Sequence, residues 1–145
     1  MQRKNIKLIC LYKDILLKDL AKKCNMDTKN FLTQLAKDNL REKMLSKIAN
    51  NLNCTLEYLW IDKDSNTNLN ENLVLSQSEV IKNICKLKKI LHTDLAHKIG
   101  TTPQNFTNKL TYNDFKENTL LEIATALNCT LTIKWIDKET GKEFY

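Results

Sequence analysis

Apolar residues recur with helical period through most of the chain. Ile81, Ile84, Cys85, Leu87 and Leu91 share one face and predict a first helix. A second, short helix is expected over 94–98, with Leu95, Ala96 and Ile99 facing inward. Gly100 ends it: the turn into a further helix needs a left-handed residue, which glycine supplies without steric cost. Thr102 and Pro103 then open a third helix as cap and first helical residue. It buries Phe106 and Leu110 and exposes Gln104, Thr107 and Asn108. A fourth helix carries Leu120, Ile123, Ala124 and Leu127 inward and ends near Asn128. There the period changes. Residues 130–135 alternate with period two and are rich in β-branched and aromatic side chains, which predicts a strand. A turn over 138–141 lets Phe144 and Tyr145 return as a short second strand.

The same pattern is written once before. Sliding the chain by about 75 residues brings its halves into ungapped register, with a little under half of roughly 60 aligned positions identical. Asp19-Leu20-Ala21 falls on Asp94-Leu95-Ala96, and Asn30-Phe31 on Asn105-Phe106. Leu52-Asn53-Cys54-Thr55-Leu56 falls on Leu127-Asn128-Cys129-Thr130-Leu131, and Trp60-Ile61-Asp62-Lys63 on Trp135-Ile136-Asp137-Lys138. Two unrelated amphipathic stretches would share apolar spacing but not these polar words, so the chain is a duplication. Copy one has Asn25 where copy two has Gly100, and Asn is the next best residue for a left-handed position. Asp27 and Thr28 stand at Thr102 and Pro103. Residues 56–60 are read as a strand in preference to a short helix. The expected organisation is a first unit over 1–64, a polar, Asn-rich linker over 65–77 and a second unit over 78–145. Units this small sit near the lower limit for independent folding, so a shared interface is expected.

Composition narrows the class. Two Gly and one Pro in 145 residues disfavour a turn-rich sandwich or barrel and favour helices with short connections. The formal net charge of +6 suits a polyanionic partner without requiring one. No apolar run reaches the roughly 18 residues of a membrane span, and the basic start lacks the apolar core of a leader, so a cytoplasmic protein is expected. Cys10, Cys24, Cys54, Cys85 and Cys129 are odd in number and far apart, which reads as buried reduced thiols and not as a disulfide framework or zinc site.

These residues resemble the Cro/C1 (XRE) helix-turn-helix family of phage and bacterial repressors. The match rests on the Leu-Ala pair of helix two, Gly100 or Asn25 at the turn, Thr102-Pro103-Gln104-Asn105-Phe106 opening helix three, and the Leu-x-x-Ile-Ala-x-x-Leu-Asn-Cys stretch of helix four. The resemblance implies a mainly α fold of two tandem lambda-repressor-like helix-turn-helix units, each followed by a short β-hairpin or strand. It implies a sequence-specific transcriptional regulator, a repressor, that reads the major groove of double-stranded DNA with the third helix of each repeat. Carried over by position, the contacts are Thr28, Lys29, Thr33 and Gln34 in copy one. In copy two they are His92, Thr102, Gln104, Thr107, Asn108 and Lys109. Gln104 and Asn108 have the right chemistry for adenine N6 and N7, while Thr102, Lys109 and His92 suit phosphate. Family members often hold Gln at the start of helix two; here Leu17 and His92 stand there, and Leu17 cannot bond phosphate.

Duplication suggests a single-chain pseudo-dimer reading two unlike half-sites, with the strand regions near Trp60 and Trp135 pairing, or a homodimer through those regions. The competing reading is a protein-interaction module of a mobile element, an antagonist of a host factor, that keeps the fold; Leu17 and Leu32 favour it. Enzyme chemistry is not expected. His92 and His97 lack metal-ligand spacing, Asp19 and Asp94 read as helix N-terminal charges, and two glycines hardly build a phosphate loop. No cofactor, metal, membrane or small-molecule ligand is expected.

Overall fold

The repeat is written into the backbone as well as the side chains. A computed structural model describes residues 1–71 and 75–145. Its positive-φ residues fall into five pairs with the spacing of the repeat: Asp14 and Lys89, Asn25 and Gly100, Asp38 and Asn113, Asn53 and Asn128, Asn66 and Gly141. Most close a helix, where a left-handed residue lets its amide reach a carbonyl of the last turn. Both copies thus stop and turn at equivalent places, whichever residue does the turning.

The elements are α1 (Gln2–Lys13), α2 (Leu17–Lys23), α3 (Thr28–Lys37), α4 (Glu42–Asn51), β1 (Cys54–Asp62), α5 (Gln77–Lys88), α6 (His92–Lys98), α7 (Pro103–Tyr112), α8 (Glu117–Ala126), β2 (Cys129–Asp137) and β3 (Glu143–Phe144). The protein is mainly helical with one small antiparallel sheet in the order β1-β2-β3. In β3, Phe144 lies opposite Trp135 and Glu143 opposite Ile136. The region read as strand in preference to helix is strand β1.

The chain forms two compact units that do not follow the order of the repeats. One comprises residues 1–58 with 133–145; the other comprises 59–132. In the first, Ile6, Ile9, Leu20, Phe31, Leu35, Leu45 and Ile48 of the first repeat make one apolar cluster with Ile133, Trp135 and Phe144 of the second. Trp135 is wholly buried there, and its indole Nε1 donates to Gln2 Oε1 at 2.7 Å. The second unit is built reciprocally. Trp60, from the first repeat, is wholly buried and donates to Gln77 Oε1 at 2.8 Å.

A matching polar contact fixes each strand end. Lys13 Nζ meets Asp137 Oδ1 at 2.6 Å in the first unit, and Lys88 Nζ meets Asp62 Oδ1 at 2.5 Å in the second. Thr140 Oγ1 donates to Asp137, and Ser65 Oγ to Asp62. These partners hold both carboxyls well below the usual carboxylate range, at about 2; the lysine hydrogen bond is the largest cause in each.

The stretch expected as linker differs from that reading. The amides of Asp62 and Asn66 close a turn on Thr67 and Asp62, Ile61 bridges Asn68, and the Leu69 amide bonds Trp60 O. This is the counterpart of the β2–β3 turn, where Asp137 and Gly141 make the equivalent bonds. Ser76 caps α5 through the Glu79 amide, and Gln77 is its first residue. Residues 72–74 of the expected linker lie outside the described residues.

Two side chains assigned to the inner face of the first helix of copy two lie outside. Leu87 is 66% and Leu91 65% exposed. Helix α5 ends at Lys88 with left-handed Lys89 behind it, so the helical period does not carry through to Leu91. Val80, Ile81, Ile84 and Cys85 form the buried stripe instead. All five cysteines are buried and free. Burial pushes the thiols up, Cys10 to about 11, so none is a ready thiolate.

Candidate nucleic-acid interface

In each unit a short helix, a tight turn and a capped helix follow one another. Helix α6 buries Leu95 and Ala96 and ends into Gly100, whose amide bonds His97 O while the Thr101 amide bonds Ala96 O. Asn25 and Met26 make the equivalent bonds to Lys22 O and Ala21 O after α2. No atom outside its neighbours lies within 4 Å of where a Cβ of Gly100 would be. The glycine there answers a backbone requirement, φ 75°, and not a shortage of space.

Thr102 then caps α7: its Oγ1 accepts from the Asn105 amide at 3.2 Å. Asp27 caps α3, accepting from the amides of Lys29 and Asn30 at 3.0 and 3.4 Å. A capped helix holds its first turn in register, which is the part a groove-reading helix presents. Phe106 and Leu110 anchor α7 from behind, as Phe31 and Leu35 anchor α3.

The outward faces carry the residues singled out from the sequence. Gln104, Thr107, Asn108 and Lys109 are exposed on α7. Gln104 Nε2 donates to Asn108 Oδ1 at 3.1 Å, so the two amides are joined before any ligand arrives. The arrangement leaves Gln104 Oε1 as acceptor and Asn108 Nδ2 as donor, the pair of functions that an adenine edge complements. Thr102 uses its oxygen in the cap and keeps its hydroxyl hydrogen for a further acceptor. His92 opens α6, exposed, with its ring edge-on to Phe106 at 6.1 Å between centroids. Its counterpart Leu17 is half-buried against the apolar cluster of its unit.

On α3, Thr28, Lys29 and Thr33 are exposed and Gln34 is half-buried. The Thr33 hydroxyl donates to Lys29 O at 2.8 Å, so it faces its own backbone in this state. Leu32 is 42% exposed beside them. Residues of α3 come together on one face, as do those of α7; the two sets belong to different units.

Sequence reasoning singled out Lys29 but passed over the other cations around α3. Lys18, Lys22 and Lys23 on α2, with Lys29 and Lys37 on α3, are all exposed. Among the described residues none of these five takes part in an ion pair. A comparison of the repeats by charge, instead of by identity, would have found them.

Among the described residues no helix is long and apolar enough to cross a membrane, and no group of three or more His, Cys, Asp or Glu residues is placed to hold a metal ion. The chain matches no protein-family model, no curated protein and no solved structure.

Proposed function

We propose that this chain is a sequence-specific double-stranded DNA-binding regulator, a repressor by its resemblance, built from two lambda-repressor-like helix-turn-helix units. Helices α3 and α7 are the reading helices. The observation that carries the reading is the joined Gln104–Asn108 amide pair on the open face of α7, a helix capped by Thr102 and anchored by Phe106 and Leu110. Pre-joined amides lower the ordering cost of a bidentate contact to a base edge. Thr102, Lys109 and His92 are the phosphate contacts of α6 and α7; Lys29 and Thr28 serve that role on α3. Because Lys29 and Thr33 stand where the second unit has Gln104 and Asn108, the two half-sites differ, and the operator is an imperfect palindrome. On this reading the protein acts in the cytoplasm without catalysis, cofactor or metal.

A second reading, a protein-interaction module of a mobile element, draws on Leu32, exposed on the open face of α3. One experiment separates the two. Purified protein is incubated with a randomised duplex pool at near-physiological salt and the retained DNA is sequenced, beside the Gln104→Ala/Asn108→Ala variant. Enrichment of a site about two half-sites long, relaxed in the variant, establishes the regulator. Weak, salt-sensitive retention without enrichment rejects it in favour of the interaction module.

A further inference from the structure

The charge of the chain is divided between its units as sharply as its sequence is shared. The unit of residues 1–58 and 133–145 holds fifteen basic and nine acidic residues, and the unit of 59–132 holds eight of each. The whole net charge of +6 therefore belongs to the first unit.

The difference is sharpest on the paired helices of the candidate interface. Helices α2 and α3 carry Lys18, Lys22, Lys23, Lys29 and Lys37 against Asp19, with Asp27 committed to the cap. Helices α6 and α7 carry Lys98 and Lys109 against Asp94. At the positions matching Lys18, Lys22, Lys29 and Lys37 the second repeat has Thr93, His97, Gln104 and Tyr112; only Lys23 keeps its partner, Lys98.

We propose that the two units divide the work of binding: α2 and α3 supply the sequence-independent grip on duplex phosphates, and α7 supplies most of the discrimination between bases. The inference rests on the DNA-binding reading above. Its physical basis is that cations and amides act on different terms of the same affinity. Each lysine that neutralises a phosphate releases a counterion and steepens the salt dependence by about 0.9 in log–log slope. An amide pair releases none, and its contribution appears in the ratio of affinities for right and wrong sequences. Exposed lysines free of ion pairs keep their full charge for an external partner, whereas a paired lysine such as Lys13 or Lys88 has spent it internally.

The test uses the full chain in three forms, titrated with KCl against an arbitrary duplex and against the duplex selected from the pool. Lys18→Gln/Lys22→Gln/Lys37→Gln removes three cations from α2 and α3. Lys4→Gln/Lys7→Gln/Lys47→Gln removes three exposed cations from α1 and α4 of the same unit. The expected result is a log–log slope shallower by about 2 to 3 in the first variant, with affinity for both duplexes lower by roughly tenfold or more and their ratio preserved. The second variant keeps a slope within about one of wild type. Circular dichroism melts of both confirm that each is folded. Equal loss of slope in the two variants overturns the division, because it makes the grip a property of overall charge. A change in the ratio of the two duplexes in the first variant overturns it as well, since Lys18, Lys22 and Lys37 would then be discriminating between bases and not only gripping phosphates. Should wild-type protein retain no duplex at any salt, the DNA-binding reading falls and takes the division with it. Should it bind while the first variant keeps the wild-type slope, only the division falls.

Discussion

The indole of Trp135 donates its hydrogen bond to Gln2, 133 residues earlier in the chain, while that of Trp60 donates to Gln77, 17 residues later. The donors and acceptors are equivalent residues of a repeat, yet each tryptophan serves the helices of the other copy. Both indoles are wholly buried, and Gln2 and Gln77 are only 7% and 6% exposed. Each glutamine therefore removes a cost that burial would otherwise impose. Removing the acceptor should cost about 1–3 kcal/mol, because a buried N–H is left without a partner. We expect Gln2→Ala and Gln77→Ala each to lower stability by that amount, and Gln→Glu at either site to restore an acceptor and recover part of it. In a Trp60→Phe background the emission of Trp135 alone follows the first unit through a urea titration. A Gln2→Ala midpoint equal to that of the parent would show that the bond carries no net stabilisation.

The exchange of tryptophans predicts how the chain behaves when it is cut. A fragment of residues 1–71 holds the helices of one unit but not Ile133, Trp135 or Phe144, which belong to the same apolar cluster. Loss of a buried tryptophan alone costs about 3–5 kcal/mol, most of the stability of a domain this small. We expect fragments 1–71 and 75–145 each to lack a cooperative melt as monomers, and an equimolar mixture to regain the far-ultraviolet dichroism and blue-shifted emission of the intact chain. Size-exclusion chromatography should show a one-to-one complex. A cooperative, monomeric melt of fragment 1–71 by itself would mean that the repeat is its own folding unit.

How much of this was legible beforehand follows from what sequence patterns encode. Helices three and four, the caps of helix three and the turn at Gly100 or Asn25 were readable, because each depends on residues within one turn of one another. So was the outward position of Gln104 and Asn108, which follows from the inward position of Phe106. The exchange was not readable. Trp60 and Trp135 occupy equivalent places, and nothing local says whether such a residue packs on its own repeat or on the other. The stretch after Asp62 was misread for a related reason. Its Asn residues look like linker composition, but Asn66 supplies the left-handed turn that Gly141 supplies in the second repeat. Composition hid a turn that the repeat register would have given.

Leu87 and Leu91 show the limit of periodicity at a helix end. Both fit the apolar stripe on paper, and both are about two-thirds exposed: Leu91 lies beyond the end of α5 at Lys88, and Leu87 lies in its last turn, outside the buried stripe of Val80, Ile81, Ile84 and Cys85. Leu87→Lys and Leu91→Lys should each change stability by no more than about 0.5 kcal/mol, the usual range for surface substitutions. Ile84→Ala, within the buried stripe, should cost about 2–5 kcal/mol. Chemical denaturation of the three variants measures the contrast. A loss at Leu87 comparable to that at Ile84 would place Leu87 in an apolar contact instead of in solvent.

Acid should expose the two strand-end ion pairs. Asp62 and Asp137 are held at about 2 by their hydrogen bonds to Lys88 and Lys13, with Ser65 and Thr140 assisting. In the unfolded chain the same carboxyls titrate near the ordinary value, about 3.9. Between these values the unfolded state binds more protons than the folded one, so stability falls as pH falls. The contribution of each carboxylate is fully present above about pH 5 and is lost as the pH drops through about 2. Asp62→Asn and Asp137→Asn should therefore lower the melting temperature at pH 7 and show a shallower decline from pH 5 to pH 2 than wild type. The double variant should be shallower still, because the two carboxylates lie in different units and each is paired with its own lysine. Thermal melts at half-unit intervals of pH provide the comparison. Parallel curves for wild type and double variant would mean that acid acts on other carboxylates and that these two pairs contribute nothing to the acid limb.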